Sequence, residues 1–139
     1  MAAENDKSAG RRILLVEDEI LICLLIETIL ADAGYEVVVA NTVEEALEAI
    51  GKQPFAAAIL DLNLKGKKVY PVAEKLAVLD IPFVFATGGG GKDIEGFVGR
   101  PWVGKPFQEA ELVVAVEKLV DRSTASPEPG DSSSAGTRG

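Results

Sequence analysis

The chain has 139 residues and no histidine. That excludes a histidine metal site, a histidine-based triad and a phosphohistidine within it. There is one cysteine, Cys23, so no disulfide can close within the chain. It lies in an apolar run and reads as a small core residue rather than a reactive thiol. Basic residues are the minority: 14 Lys and Arg against 22 Asp and Glu give a net charge of −8. A nucleic-acid surface needs a basic footprint, and this balance argues against one. Long apolar runs are missing too. The longest, Ile20 to Ile26, is far short of the ~20 residues of a membrane helix. Residues 1–10 are polar and charged, without the apolar centre of a secretion signal. The expectation is a cytoplasmic protein that binds neither membrane nor nucleic acid.

Apolar residues make up 47% of the chain, enough for a packed core in a single domain. Residues 1–10 and the Ser-, Pro- and Gly-rich stretch 122–139 are expected to be disordered tails. The folded unit is expected over 11–121, with no second domain. Within it, short apolar runs predict strands near 12–16, 36–40, 56–60, 82–86 and 101–104. Helices are predicted over 19–33, 42–51, 69–79 and 108–121. Gly34 would end the first of them, Thr42 with Glu45 forms a capping box for the second, and Pro71 suits the first turn of the third. Alternating strand and helix imply an α/β fold with a parallel sheet covered on both faces. A further helix after Thr87 would be short or poorly ordered. Five glycines fall within residues 88–96, and each costs about 0.8–1 kcal/mol against Ala in a helix interior.

The strand ends are where the chemistry gathers. Ile13 to Val16 runs into Glu17 and Asp18. Ala58 to Leu60 runs into Asp61, Phe83 to Ala86 into Thr87, and Trp102 to Gly104 into Lys105 and Pro106. Open parallel sheets bind ligands beyond the carboxyl ends of their strands, so these residues can converge on one crevice. Converging carboxylates repel one another unless a cation joins them, and Mg²⁺ prefers carboxylate, carbonyl and water oxygens. With a lysine nearby, the set suits a phosphoryl group carried on a carboxylate. Singly, each residue has a plainer reading. Glu17-Asp18-Glu19 suits an acidic first helical turn, Asp61 a turn cap, Lys105 a solvated charge, and Trp102 a core or interface aromatic. The run Gly88–Gly91 before Lys92 is no phosphate loop. That pattern needs glycine at Ala86 and Ser or Thr at Asp93. A dinucleotide fingerprint would need glycine at Asp93 or Ile94.

These motifs, Leu15-Val16-Glu17-Asp18-Glu19, Leu60-Asp61-Leu62-Asn63, Ala86-Thr87-Gly88 and Lys105-Pro106-Phe107, resemble the receiver domain of two-component response regulators. The resemblance spans about residues 11–121. It implies a flavodoxin-like, doubly wound sheet of five parallel strands in the order 2-1-3-4-5. It makes Asp61 the phosphoacceptor, with a histidine kinase as donor. Mg²⁺ would be bound by Asp18, by Asp61, by the backbone carbonyl of Asn63, and by Glu17 through a water. Lys105 would pair with Asp61 and then with the phosphoryl group. The Thr87 hydroxyl would donate to that group, coupled to the aromatic Trp102, and Pro106 would follow a cis bond. The segment Ile81 to Gly88 is similar to the Phe-Ala-Thr-Gly (FATGUY) receivers, although glycine follows where an aromatic is usual. Those receivers often lack an output domain. They imply general stress signalling with HWE or HisKA2 kinases and a downstream protein partner. Two other functions fit parts of the pattern. An Mg²⁺-dependent aspartyl phosphatase usually needs an acid where Asn63 stands, and a cap domain. A degenerate, binding-only receiver would not need the complete site. Finally, Ile20 to Ile26 wrap apolar side chains around the first helix, so part of it is expected to be an exposed docking face.

Overall fold

The computed structural model describes residues 10–64, 67–87, 102–104 and 108–125. Along the chain run β1 (Arg12–Val16), α1 (Ile20–Asp32), β2 (Glu36–Ala40), α2 (Val43–Lys52), β3 (Ala57–Asp61), β4 (Asn63–Leu64) and β5 (Lys67–Lys68). They are followed by α3 (Tyr70–Val78), β6 (Phe83–Thr87), β7 (Trp102–Gly104) and α4 (Glu109–Ala125). Strands β2, β1, β3 and β6 pair in that order, all parallel. The short β7 lies parallel beside β6, with Thr87 opposite Gly104.

Both faces of the sheet are covered, which explains why its strands read as continuous apolar runs rather than alternating ones. Ile13, Leu15, Ala57, Ile59, Val84 and Ala86 face a core built with α1 and α4. Their neighbours Leu14, Val16, Ala58, Leu60, Phe83 and Phe85 face a second core built with α2 and α3. Side chains of a strand alternate between faces. A one-residue slip of β1 would therefore exchange its contributions to the two cores.

Helix ends follow their local chemistry. Thr42 Oγ1 accepts from the Glu45 amide at 3.0 Å, and Glu45 Oε1 accepts from the Asn41 amide at 2.8 Å. The Thr42 cap is as expected for α2, but the Glu45 side chain reaches back one residue past the N-cap, to Asn41, rather than closing the box on Thr42 itself. Gly34 has φ +95°. It ends α1 with Tyr35 N–H donating to Leu30 O at 2.9 Å and Gly34 N–H to Ala31 O at 3.0 Å. Arg11 seals that end: its Nε donates to Gly34 O at 2.7 Å and its guanidinium stacks 4.5 Å from the Tyr35 ring. Helix α3 ends in the same way through Asp80, at φ 64°. Ile81 N–H there donates to Leu76 O. Asp tolerates this conformation better than most residues.

Three further details differ from the sequence expectation. Strands β3 and β6 are displaced by one residue at both ends, so Asp61 and Thr87 are the last strand residues rather than the first residues beyond them. The antiparallel β4–β5 ribbon was not anticipated, because two-residue strands leave no periodic pattern. Helix α4 continues to Ala125, so residues 122–125, expected to belong to a tail, are helical. The helix expected after Thr87 lies outside the described residues.

Candidate metal and phosphoryl site

Glu17 and Asp18 follow β1, and Asp61 ends β3. Parallel pairing of these adjacent strands, with Val16 opposite Leu60, brings their carboxyl ends together. The three carboxylates each offer an oxygen, and those oxygens all lie within 4.8 Å of one another. Glu17 is 1% exposed and Asp61 8%, while Asp18 is half-buried. Like charges held this closely at the edge of an apolar core repel strongly, and a hard cation relieves the repulsion. The donors are all oxygens, and the cluster is compatible with an Mg²⁺ site. Asn63 opens β4 two residues after Asp61.

The loop carrying Glu17 is held from β2 and α1. Glu17 N–H donates to Ala40 O at 3.0 Å. Glu17 Oε2 accepts from the Glu19 amide at 3.2 Å. The Glu17 carbonyl accepts from Asn41 Nδ2 at 2.9 Å and from Cys23 Sγ at 3.4 Å. Burial first, and then the acidic groups led by Glu17, push the Cys23 thiol up to about 11. That keeps it protonated at neutral pH, as a core thiol rather than a nucleophile.

Thr87 is the last residue of β6, and its neighbour Ala86 lies opposite Asp61 in the register. Trp102 opens β7 opposite Phe85. Lys105 and Pro106 lie outside the described residues. Sequence reasoning missed Asn41 and the bond from Cys23. The signal for Asn41 was available: it follows β2 at the same carboxyl edge that singled out the other strand ends.

No helix among the described residues is long and apolar enough to cross a membrane. The family described as the response regulator receiver domain matches residues 13–117. The phosphate regulon transcriptional regulatory protein PhoB of Pseudomonas aeruginosa is 33% identical over 88% of this chain and 56% of its own length. The regulatory protein VanR of Enterococcus faecium is 29% identical over 80% of this chain and 50% of its own. The chain thus spans about half the length of the curated relatives it matches. Among solved structures, SdrG from Sphingomonas melonis Fr1 is similar at 43% identity and a TM-score of 0.71. The match covers 81% of this chain and 98% of that one. The PhyR receiver domain of Erythrobacter litoralis is similar at 26% identity and a TM-score of 0.72, covering 80% and 90%. The matched stretch contains the whole acidic cluster, and the chain belongs to the response regulator receiver domains of two-component signalling.

Proposed function

We propose that the chain is a phosphoacceptor that receives a phosphoryl group on Asp61 from a phosphohistidine of a histidine kinase and then signals by protein contact. The observation that carries this is the convergence of Glu17, Asp18 and Asp61 at the carboxyl edge of a parallel sheet. In the transfer, an Asp61 carboxylate oxygen bonds to phosphorus as the phosphorus–nitrogen bond breaks. The imidazole leaves with that bond's electron pair. Mg²⁺ held by Asp18, Asp61, the Asn63 carbonyl and, through water, Glu17 would neutralise charge on the phosphoryl oxygens. Lys105 adds a mobile positive charge, and Thr87 donates its hydroxyl to the transferred group, in step with Trp102. Pro106 belongs to the same proposed switch as Thr87 and Trp102. The reading includes the complete 2-1-3-4-5 sheet, supported by the pairing of Phe85 with Trp102. It also takes residues 11–121 as the receiver domain.

The kinase is read as an HWE or HisKA2 type acting in general stress signalling in the cytoplasm, a reading supported by the Phe85-Ala86-Thr87-Gly88 motif. Its docking face is α1, where Ile20, Leu21, Leu24 and Leu25 are exposed. Intact mass after incubation with acetyl phosphate and Mg²⁺ tests the core of the proposal. The wild type gains one labile phosphoryl group and Asp61→Asn gains none. An Asp61→Asn protein that gains the same mass overturns it. Measured turnover of small phosphomonoesters would favour a phosphatase instead.

A further inference from the structure

We infer that Asn41 is a positioning residue for the acidic site, orienting the Glu17–Asp18 peptide so that both carboxylates face Asp61. The inference rests on the Mg²⁺ reading above and adds to it a residue outside the ligand set.

Glu17 is held at both of its backbone polar groups. Its N–H donates to Ala40 O at 3.0 Å, and its carbonyl accepts from Asn41 Nδ2 at 2.9 Å. Two consecutive residues at the end of β2 therefore grip both backbone polar groups of one residue. The first bond merely continues the β1–β2 ladder. The second does something a ladder cannot. Beyond Val16 the chain leaves the sheet, and α1 starts only at Ile20. The Glu17 carbonyl belongs to the peptide unit that joins Glu17 to Asp18. That unit is planar, so fixing its oxygen fixes the Asp18 N–H and limits the direction of the Asp18 side chain.

Asn41 is itself held. Its backbone N–H donates to Glu45 Oε1 at 2.8 Å, which ties it to the first turn of α2. The side chain thus projects from an anchored base, and its short amide loses little freedom in making the bond. Cys23 Sγ also donates to the Glu17 carbonyl, at 3.4 Å. A thiol is a weak donor, so the amide dominates. The orientation matters because the carboxylates repel one another. Without a restraint on the peptide, Asp18, the half-buried member of the set, would turn toward water. Groups that hold ligands in place without touching the metal commonly govern its affinity.

Mg²⁺ titration of the full chain, followed by backbone NMR, tests this with four proteins: wild type, Asn41→Ala, Asn41→Leu and Thr42→Ala. Leu keeps the bulk of Asn without a donor and guards against a fold lost to truncation. Thr42→Ala weakens the α2 cap but leaves the Glu17 carbonyl bond. Both Asn41 variants should bind Mg²⁺ about tenfold more weakly, the low end for residues that support metal ligands. Their Glu17 carbonyl carbon should shift upfield as its hydrogen bond is lost. Thr42→Ala should keep the wild-type Kd. Wild-type Kd in both Asn41 variants overturns the inference alone. So does a Thr42→Ala protein weakened as much as Asn41→Ala, since general loosening would then explain both. A wild type that binds no Mg²⁺ overturns this inference together with the metal reading beneath it.

Discussion

Helices α1 and α2 cover opposite faces of the same sheet, and their sequences answer to different demands. In α2, Val43, Ala46 and Ile50 are buried, while Glu44, Glu48 and Lys52 face water, with Glu48 and Lys52 paired at 3.2 Å. Its N-terminus is capped by Thr42. Folding alone accounts for nearly every residue of it. In α1, Cys23, Ile26, Ile29 and Leu30 are buried, and Ile20, Leu21, Leu24 and Leu25 are exposed on the side away from the core. Leu21 is 78% exposed. No side chain caps its N-terminus, and its first turn holds no acidic residue. Folding accounts for half of this helix. Apolar residues adjacent on one exposed face cost solubility and gain nothing in the free domain, which is what supports the docking face proposed for α1. The exposed residues start at Ile20, two residues after Asp18, so the docking proposed for α1 would bring a partner next to the acidic cluster.

The sharpest way to break this comparison is to truncate both sides of α1. Leu30→Ala or Ile26→Ala opens a cavity in a fully buried core and should cost about 2–5 kcal/mol in urea unfolding. Leu21→Ser should change stability by less than about 0.5 kcal/mol. The same substitution should slow phosphoryl transfer from the cognate kinase while leaving labelling by acetyl phosphate intact. A large stability loss from Leu21→Ser would mean that the outer face is packed in solution. The distinction between the faces would then collapse.

Much of this contrast was legible in the sequence. The apolar wrap of Ile20 to Ile26 foretold a helix with more apolar surface than one core can use. The cap that Thr42 places on the Glu45 amide and the stop at Gly34 were readable because each rests on a few adjacent residues. The acidic cluster was readable from strand ends, since parallel pairing brings those ends to one edge. What stayed hidden depended on geometry across the chain. The place of Asn41 at the carboxyl edge was readable, but its bond to Glu17, 24 residues away, was not. The turn at Asp80 lacks the glycine that would announce it. The β4–β5 ribbon is too short to show a period.

A second test concerns the end of α1. Gly34→Ala should destabilise by more than about 1 kcal/mol, because alanine is strained at positive φ. The new Cβ would also stand 2.9 Å from Arg11 Nη2, disturbing the guanidinium that seals the helix. Thermal unfolding monitored by far-UV circular dichroism would measure this. A neutral result would mean that the turn can relax away from φ +95°, and that α1 does not depend on Arg11 for its stop. At the N-terminus of α2, Thr42→Ala removes a cap and should cost about 1 kcal/mol. Glu19→Ala, at the equivalent position of α1, removes no side-chain cap and should cost less in the same assay. Equal losses would erase the difference between the two N-termini.

The smallest effect separates the helices by charge state. The Cys23 thiol of α1 is raised from 9.0 to about 11, first by burial and then by the acidic groups around it, while α2 carries no such group. An unfolded chain releases this proton near its ordinary value, whereas the folded chain keeps it until about 11. Between those values the folded state binds more protons, so its stability falls as pH rises. Below 9 the contribution is fully present. Cys23→Ala deletes the titration, and its cavity penalty does not depend on pH. In metal-free buffer, the gap in urea midpoint between wild type and Cys23→Ala should therefore narrow from about pH 8 to about pH 10. A constant gap would mean that the thiol titrates near its ordinary value. In that case neither burial in the α1 core nor the acidic cluster acts on it as strongly as their proximity implies.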